Sequence, residues 1–152
     1  MASSTTAGLI LLLSLLLAPE SPEGPVETVT LKGTVLELTE ALKPTGLAVD
    51  ADPIARQVVV RDSEGAITPL LSDEASRALF LDERLRRRPA VLQARRHPGL
   101  PYVQVVTFQV DDGGRMRTPE YFCEICTISV RYPQDCPCCQ GAMELRMKPE
   151  PR

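Results

Sequence analysis

The sequence predicts a mainly β protein in two parts, a β-rich domain with one helix and a small cysteine-rich module after it. Three observations indicate this architecture. Short runs of alternating apolar and polar residues recur between residues 28 and 110, as in half-buried strands. One segment, over residues 75–85, repeats apolar residues at helical spacing. All five cysteines lie between Cys123 and Cys139.

Composition and length limit the possible functions. The 152 residues are 43% hydrophobic and 24% charged, which is ordinary for a globular chain. The net charge of -3 gives the chain no general attraction to nucleic acid or anionic lipid. The length suits one domain with a small appendage.

Three strands are predicted before the helix. Residues 28–40 alternate, but the apolar face changes just after Gly33, which predicts a β-bulge at that glycine. Residues 57–61, QVVVR, predict a short buried strand. The turn signal DSEG at residues 62–65 predicts a hairpin, with residues 66–71 as its returning strand.

A single helix is predicted over residues 72–88. Ser72 is the expected N-cap, because a serine side chain can accept a hydrogen bond from the first turn. Pro89 is expected to end the helix. The predicted buried face consists of Ala75, Ala78, Leu81 and Leu85.

Two further strands are predicted after the helix. Residues 90–95, AVLQAR, predict the fourth strand, and a turn follows at residues 97–99. Residues 102–110 alternate strictly, which places Tyr102 and Phe108 on one face of the fifth strand.

The order of these elements resembles the OB-fold. That resemblance implies a five-stranded barrel over residues 28–118, with its helix between strands 3 and 4. A long first strand interrupted by glycine also suits a barrel strand that bends into two sheets. A different small β-rich fold with one helix is the alternative.

The cysteines form two CxxC pairs, CEIC at residues 123–126 and CPCC at residues 136–139, with nine residues between them. Two such pairs can surround one tetrahedral metal ion. So short a segment seldom folds on core burial alone. Structural zinc contributes on the order of 10 kcal/mol in small peptides, whereas a disulfide contributes about 2 to 4.

CEIC and CPCCQG resemble the two knuckles of a zinc-ribbon or rubredoxin-like module. Gly141 stands where such knuckles often relax the backbone. The sequence departs from the pattern at Thr127, a place often held by glycine, and in the short spacing between the pairs.

This resemblance implies a zinc ribbon over residues 119–147 with a structural Zn2+ ion. Cys138 is then spare or an alternative ligand. The implied ligands are Cys123, Cys126, Cys136 and Cys139.

Disulfide bonds, a redox dithiol and covalent haem are the alternatives to metal binding by the cysteines. Paired disulfides would suit an exported protein. CPCC superficially resembles the glutaredoxin dithiol, although no βαβ context precedes it. Covalent haem is excluded, because Thr127 and Gln140 stand where histidine would be required.

No catalytic group is predicted, so we do not expect an enzyme. Four thiolates would close the metal shell, whereas catalytic zinc keeps an open position. The only histidine, His97, lies in a predicted turn, and neither a G-x-S-x-G nor a P-loop motif occurs.

Six arginines form two short basic runs. They would make one anion or single-stranded nucleic-acid patch if the helix end adjoins the next strand, with Tyr102 and Phe108 as stacking rings. The structural interpretation is that arginines at a helix C-terminus stabilise the helix dipole, and that Phe108 belongs to the core. Nucleic acid is not the expected partner of a net acidic chain. The six are Arg84, Arg86, Arg87, Arg88, Arg95 and Arg96.

The N-terminal residues predict a targeting segment. Residues 1–18 end in AGLILLLSLLLA, the length of a signal-peptide core and shorter than the about 20 residues of a spanning helix. Residues 19–27 read as an acidic, proline-rich linker, and residues 148–152 as a disordered tail. Export to the periplasm, envelope or medium is expected, with an uncleaved membrane anchor or a cytoplasmic location as alternatives.

The combination of the two modules resembles uncharacterised bacterial exported proteins. The expected function is that of a non-enzymatic, exported or envelope-associated interaction protein with a structural zinc ribbon. Its expected partner is a protein or an envelope component. The alternatives are a single-stranded nucleic-acid-binding OB-fold protein and a thiol–disulfide redox protein that uses CPCC.

Overall fold

The computed structural model describes residues 24–148. The predicted targeting segment lies outside the described residues, as do residues 19–23 of the linker and 149–152 of the tail. The described chain is mainly β, with a six-stranded sheet and a three-stranded sheet. Nowhere in this part of the chain is a helix long and apolar enough to cross a membrane.

The larger sheet has the strand order β3-β2-β1-β4-β5-β6, and all neighbours are antiparallel. It does not close into the predicted barrel. Across residues 24–148, β3 and β5 are joined only by the isolated parallel bridge between Leu70 and Val103. The strands are β1 (Glu27–Glu37), β2 (Val58–Arg61), β3 (Ile67–Pro69), β4 (Pro89–Arg96), β5 (Val103–Asp112) and β6 (Arg115–Arg117).

The first strand changes partner along its length. Residues 27–34 pair with β4, and residues 34–37 pair with β2. The bulge predicted at Gly33 is wrong, because the pairing with β4 continues through it without a shift. Glycine is needed there for space, since a Cβ atom would lie 2.3 Å from the carbonyl oxygen of Arg61.

The fifth strand carries the bulge instead. The β4–β5 register shifts after Gln93 and leaves Val106 without an opposing residue. A bulge reverses the alternation that follows it, so Phe108 reaches the core while Tyr102 is 37% exposed. The prediction that these two rings share a face is therefore wrong. The buried side chains of β5 are Val103, Val105, Phe108 and Val110.

The described part of the chain has two short helices where one longer helix was predicted. The end of the predicted first strand is helical, as α1 (Leu38–Leu42), and the helix predicted over residues 72–88 shrinks to α2 (Arg77–Leu81). Short 3-10 turns lie at Lys43–Thr45 after α1, at Asp52–Ile54 before β2, and at Glu83–Leu85 after α2.

Local side-chain hydrogen bonds explain the late start of α2. The Asp73 carboxylate accepts hydrogen bonds from the backbone N–H groups of Ala75 and Ser76, both at 3.1 Å, which forms a turn where the helix was expected. The helix ends before Asp82, whose backbone is extended. The buried face also differs, because Leu79 is fully buried while Leu81 is 54% exposed.

The smaller sheet belongs to the cysteine module, the name used here for residues 119–147. Its strands are β7 (Pro119–Cys123), β8 (Ile128–Val130) and β9 (Glu144–Met147), in the antiparallel order β8-β7-β9. Tyr121 of β7 belongs to the same buried cluster as the larger sheet. The two sheets therefore share one core.

Candidate metal centre

Both CxxC pairs lie in turns of the same construction. In the first, the backbone N–H of Thr127 donates to the carbonyl of Cys123 at 2.8 Å. In the second, the N–H of Gln140 donates to the carbonyl of Cys136 at 2.9 Å. Each donor stands four residues after the first cysteine of its pair. Two equivalent turns thus face their thiols toward one point from two directions.

The left-handed position of each turn is held by a residue other than glycine. Thr127 has φ 55° and Gln140 has φ 59°, a region that costs L-residues energy. Gly141, expected to relax the second turn, is not in that region. It lies beside the second pair instead, where its carbonyl accepts a hydrogen bond from Cys136 N–H at 2.8 Å. A Cβ atom at Gly141 would lie 3.4 Å from Cys139 Sγ.

Four sulfur atoms converge at the turns. The thiols of Cys123, Cys126, Cys136 and Cys139 all lie within 4.8 Å of one another. The Sγ atoms of Cys123 and Cys139 are 3.6 Å apart. Four sulfurs about 2.3 Å from a tetrahedral metal would be separated by about 3.8 Å, whereas a disulfide bond is about 2.05 Å long. The cluster has the dimensions of a metal site.

No disulfide joins the cysteines. All five, which lie in the described part of the chain, are free thiols. Cys138 is exposed and stands outside the group of four. The structure therefore brings together the four ligands expected from the two knuckles and leaves the fifth cysteine apart.

Burial within the cluster is graded. Cys136 is fully buried and Cys123 is 2% exposed, whereas Cys139 faces solvent. An ion would thus be enclosed on the side of Cys123 and Cys136, the first cysteine of each pair, and reached from the side of Cys126 and Cys139.

Hydrogen bonds make the thiols unequal. The backbone N–H of Cys139 donates to the Cys136 sulfur and, with that of Cys138, lowers the pKa of Cys136 to about 7 against the opposing effect of burial. The neighbouring thiol of Cys138 raises the pKa of Cys126. A sulfur that already receives N–H donors as a thiolate is suited to ligate a metal.

His97 is a structural residue of its turn. Its Nε2 atom lies 3.0 Å from Oε1 of Gln104, and its carbonyl accepts a hydrogen bond from Leu100 N–H at 3.2 Å. Among residues 24–148 the group of side chains that could hold a metal does not include it.

The six arginines do not form a uniformly positive patch. Arg84 pairs with Asp82 at 2.7 Å, Arg86 with Glu37 at 3.1 Å, Arg87 with Glu40 at 3.0 Å and Arg96 with Glu27 at 3.8 Å. Arg86 also donates to the carbonyls of Leu79 and Phe80, both at 3.1 Å. These pairs neutralise most of the charge.

A buried hydrogen bond between Tyr121 and Asp82 was not predicted from the sequence. The Tyr121 side chain is 1% exposed, and its hydroxyl donates to Asp82 Oδ2 at 2.7 Å. Arg84 binds the same carboxylate. Burial raises the pKa of Asp82, but the hydrogen bonds from Arg84 and Tyr121 outweigh it and hold that pKa below its ordinary value. Burial, followed by Asp82, raises the pKa of Tyr121.

Comparisons of the chain with protein-family models, with curated proteins and with solved structures found no match.

Proposed function

We propose that this chain is a non-enzymatic binding protein in which the cysteine module is a zinc ribbon that stabilises the fold. One observation carries the proposal: two equivalent turns bring four thiols within 4.8 Å of one another. Tetrahedral sites with four sulfur ligands favour zinc or iron over harder metals, and structural zinc uses such closed shells. A bound ion would act as a cross-link between the two turns.

The strand neighbours support an OB-like interpretation of the larger sheet. β1 lies between β2 and β4, and the end of β3 contacts the start of β5 in parallel through Leu70 and Val103. The OB-fold, a five-stranded, partly open barrel, is a common binding scaffold. The proposed partner is a protein or an envelope component, and the proposed location is outside the cytoplasm.

The alternatives gain less support. Paired arginines disfavour a nucleic-acid surface, because their charge is already matched by carboxylates. The CPCC pair lies in a turn opposite a second pair of thiols, and no helix begins at it. Low-pKa redox thiols are commonly found at a helix N-terminus.

Metal analysis of the purified full chain with thiol counting tests the proposal. We expect one zinc ion per chain and one readily alkylated thiol, that of Cys138. Cys138→Ser is the matched control and should keep the zinc, whereas Cys136→Ser should lose it. A metal-free chain with two disulfides would contradict the proposal.

Cell fractionation tests the location and the partner class. The proposal expects the chain in the envelope or medium. A cytosolic chain that binds single-stranded nucleic acid in a salt-sensitive manner would instead favour the nucleic-acid alternative.

A further inference from the structure

The larger sheet has one weak join, here called the seam, between the end of β3 and the start of β5. It consists of the isolated bridge between Leu70 and Val103, which includes the hydrogen bond from Leu71 N–H to the Val103 carbonyl at 2.9 Å. The other neighbouring strands of the sheet pair over three or more residues. A join with so few hydrogen bonds is expected to open more easily than the rest of the sheet.

Two consecutive residues of the cysteine module reach both sides of the seam. Arg131 Nη2 donates to the carbonyl of Val106, the bulged residue of β5, at 2.9 Å. The Arg77 guanidinium lies over the Tyr132 ring, with its Cζ atom 4.5 Å from the ring centroid. Arg77 begins α2, the next helix or strand after β3. One short segment thus contacts both the β3–α2 side and the β5 side.

One cysteine pair precedes this segment and the other follows it. Arg131 and Tyr132 lie within residues 127–135, the nine residues between the two pairs. Cys126 precedes that stretch and Cys136 follows it. An ion held by both pairs would tie the two ends of the segment together.

A third contact holds the module on the same side. Tyr121 and Cys123 are two residues apart on β7, so their side chains project from the same face of the strand, and both are buried. Tyr121 donates to Asp82, which follows α2 directly. The position of the cysteine turn is therefore coupled to α2 through two residues of one strand.

We infer that Arg131 and Tyr132 form a clamp across the seam and that the cysteine site controls it, a conformational device that rests on the proposed metal site. A cavity of about 370 Å³ already lies at this place, lined among others by Arg131, Val106, Gln104 and Glu74. Release of the clamp would widen that cavity. Metal occupancy would then decide how accessible the seam is.

Hydrogen exchange of the full chain followed by mass spectrometry tests the clamp. With zinc bound, Arg131→Ala should speed amide exchange about tenfold in residues 70–71 and 103–106, with no change in the β1–β4 ladder. Tyr132→Ala should act in the same direction. Arg115→Ala, which removes an exposed arginine of β6, is the matched control and should leave the seam unchanged.

Removal of zinc by chelation tests the control by the cysteine site. We expect seam exchange to rise at least as much as in Arg131→Ala, while the β1–β4 ladder stays protected. Unchanged seam exchange in zinc-bound Arg131→Ala and Tyr132→Ala would overturn the clamp. If these variants open the seam but chelation does not, the link to the cysteine site is wrong while the clamp stands. A chain that binds no metal would refute the proposed function and that link, and the variants would still decide the clamp.

Discussion

The larger sheet and the cysteine module are stabilised by different physical means. The sheet buries a continuous set of aliphatic side chains, and Val35, Leu79, Leu92 and Val110 are fully inaccessible to solvent. Within residues 119–147 the structure buries only four residues, Pro119, Tyr121, Cys123 and Cys136. Burial of apolar surface suffices for the first region. The second buries little apolar surface, and the proposed metal site would supply a cross-link in its place.

The cysteine module is also not independent of the larger sheet. Tyr121 is the one large side chain of the module that is fully buried, and it is inserted into the core of the larger sheet. The module therefore depends on the sheet for burial, and the proposed metal site would supply its internal order. Three of the five predictions below separate these two dependences, and Tyr121→Phe and the pH series report on the contact between the two regions.

Loss of a central sulfur ligand should have the largest effect. Cys136→Ser removes a fully buried thiol of the proposed metal site, so the module should lose zinc and hydrogen-exchange protection throughout. In small zinc peptides such a loss costs up to about 10 kcal/mol. The β1–β4 ladder should remain protected. Cys138→Ser should match the wild type, and equal loss in both variants would disprove the difference between the two regions.

A cavity in the sheet should have the opposite pattern. Leu92→Ala should lower the free energy of unfolding by about 2 to 5 kcal/mol in denaturant titration, because Leu92 is fully buried, with zinc content unchanged. Leu100→Ala is the control at a side chain that is 51% exposed, and should change it by less than about 0.5 kcal/mol. Similar costs at the two sites would be inconsistent with the observed core.

The contact between the regions can be weakened by one atom. Tyr121→Phe removes the hydroxyl that donates to Asp82 and should cost about 1 to 3 kcal/mol, since that carboxylate is buried and charged. Tyr102→Phe, at a ring that is 37% exposed, should be nearly neutral. A neutral Tyr121→Phe would mean that the polar link does not help to join the regions.

Acid should weaken the same contact. The pKa of Asp82 is lower in the folded chain than its ordinary value of 3.8, because Arg84 and Tyr121 outweigh burial. Its contribution is therefore complete above about pH 3.8 and is lost as the pH falls through the folded pKa. Below about pH 3.8, unfolding measurements should show a steeper loss of stability for the wild type than for Asp82→Asn. Parallel curves would contradict this assignment.

The smallest expected effect is a gain in the first turn. Thr127 is a β-branched residue at φ 55°, so Thr127→Gly should raise the stability of the zinc-bound module by about 1 kcal/mol. The same change at Thr107, an exposed residue of β5, should destabilise, because glycine is unfavourable in a strand. Thermal unfolding of both variants distinguishes strain in the turn from a general effect of glycine.

Local patterns in the sequence determined the mainly β character, the positions of most strands and the four converging cysteines. These features depend on side-chain alternation and on spacing within a short stretch, so neighbouring residues carry the information. The same was true of Thr127, whose departure from glycine corresponds to a left-handed residue in the turn.

The tertiary structure alone decided how these elements meet. The weakly joined seam, the bulge that brings Phe108 into the core and the short α2 depend on pairing between distant strands and on competing side-chain hydrogen bonds. The ion pairs of Arg86, Arg87 and Arg96 and the link from Tyr121 to Asp82 join residues far apart in the chain, so no local pattern could reveal them. Spacing along the chain determines which side chains can act together nearby, whereas packing decides which distant ones do.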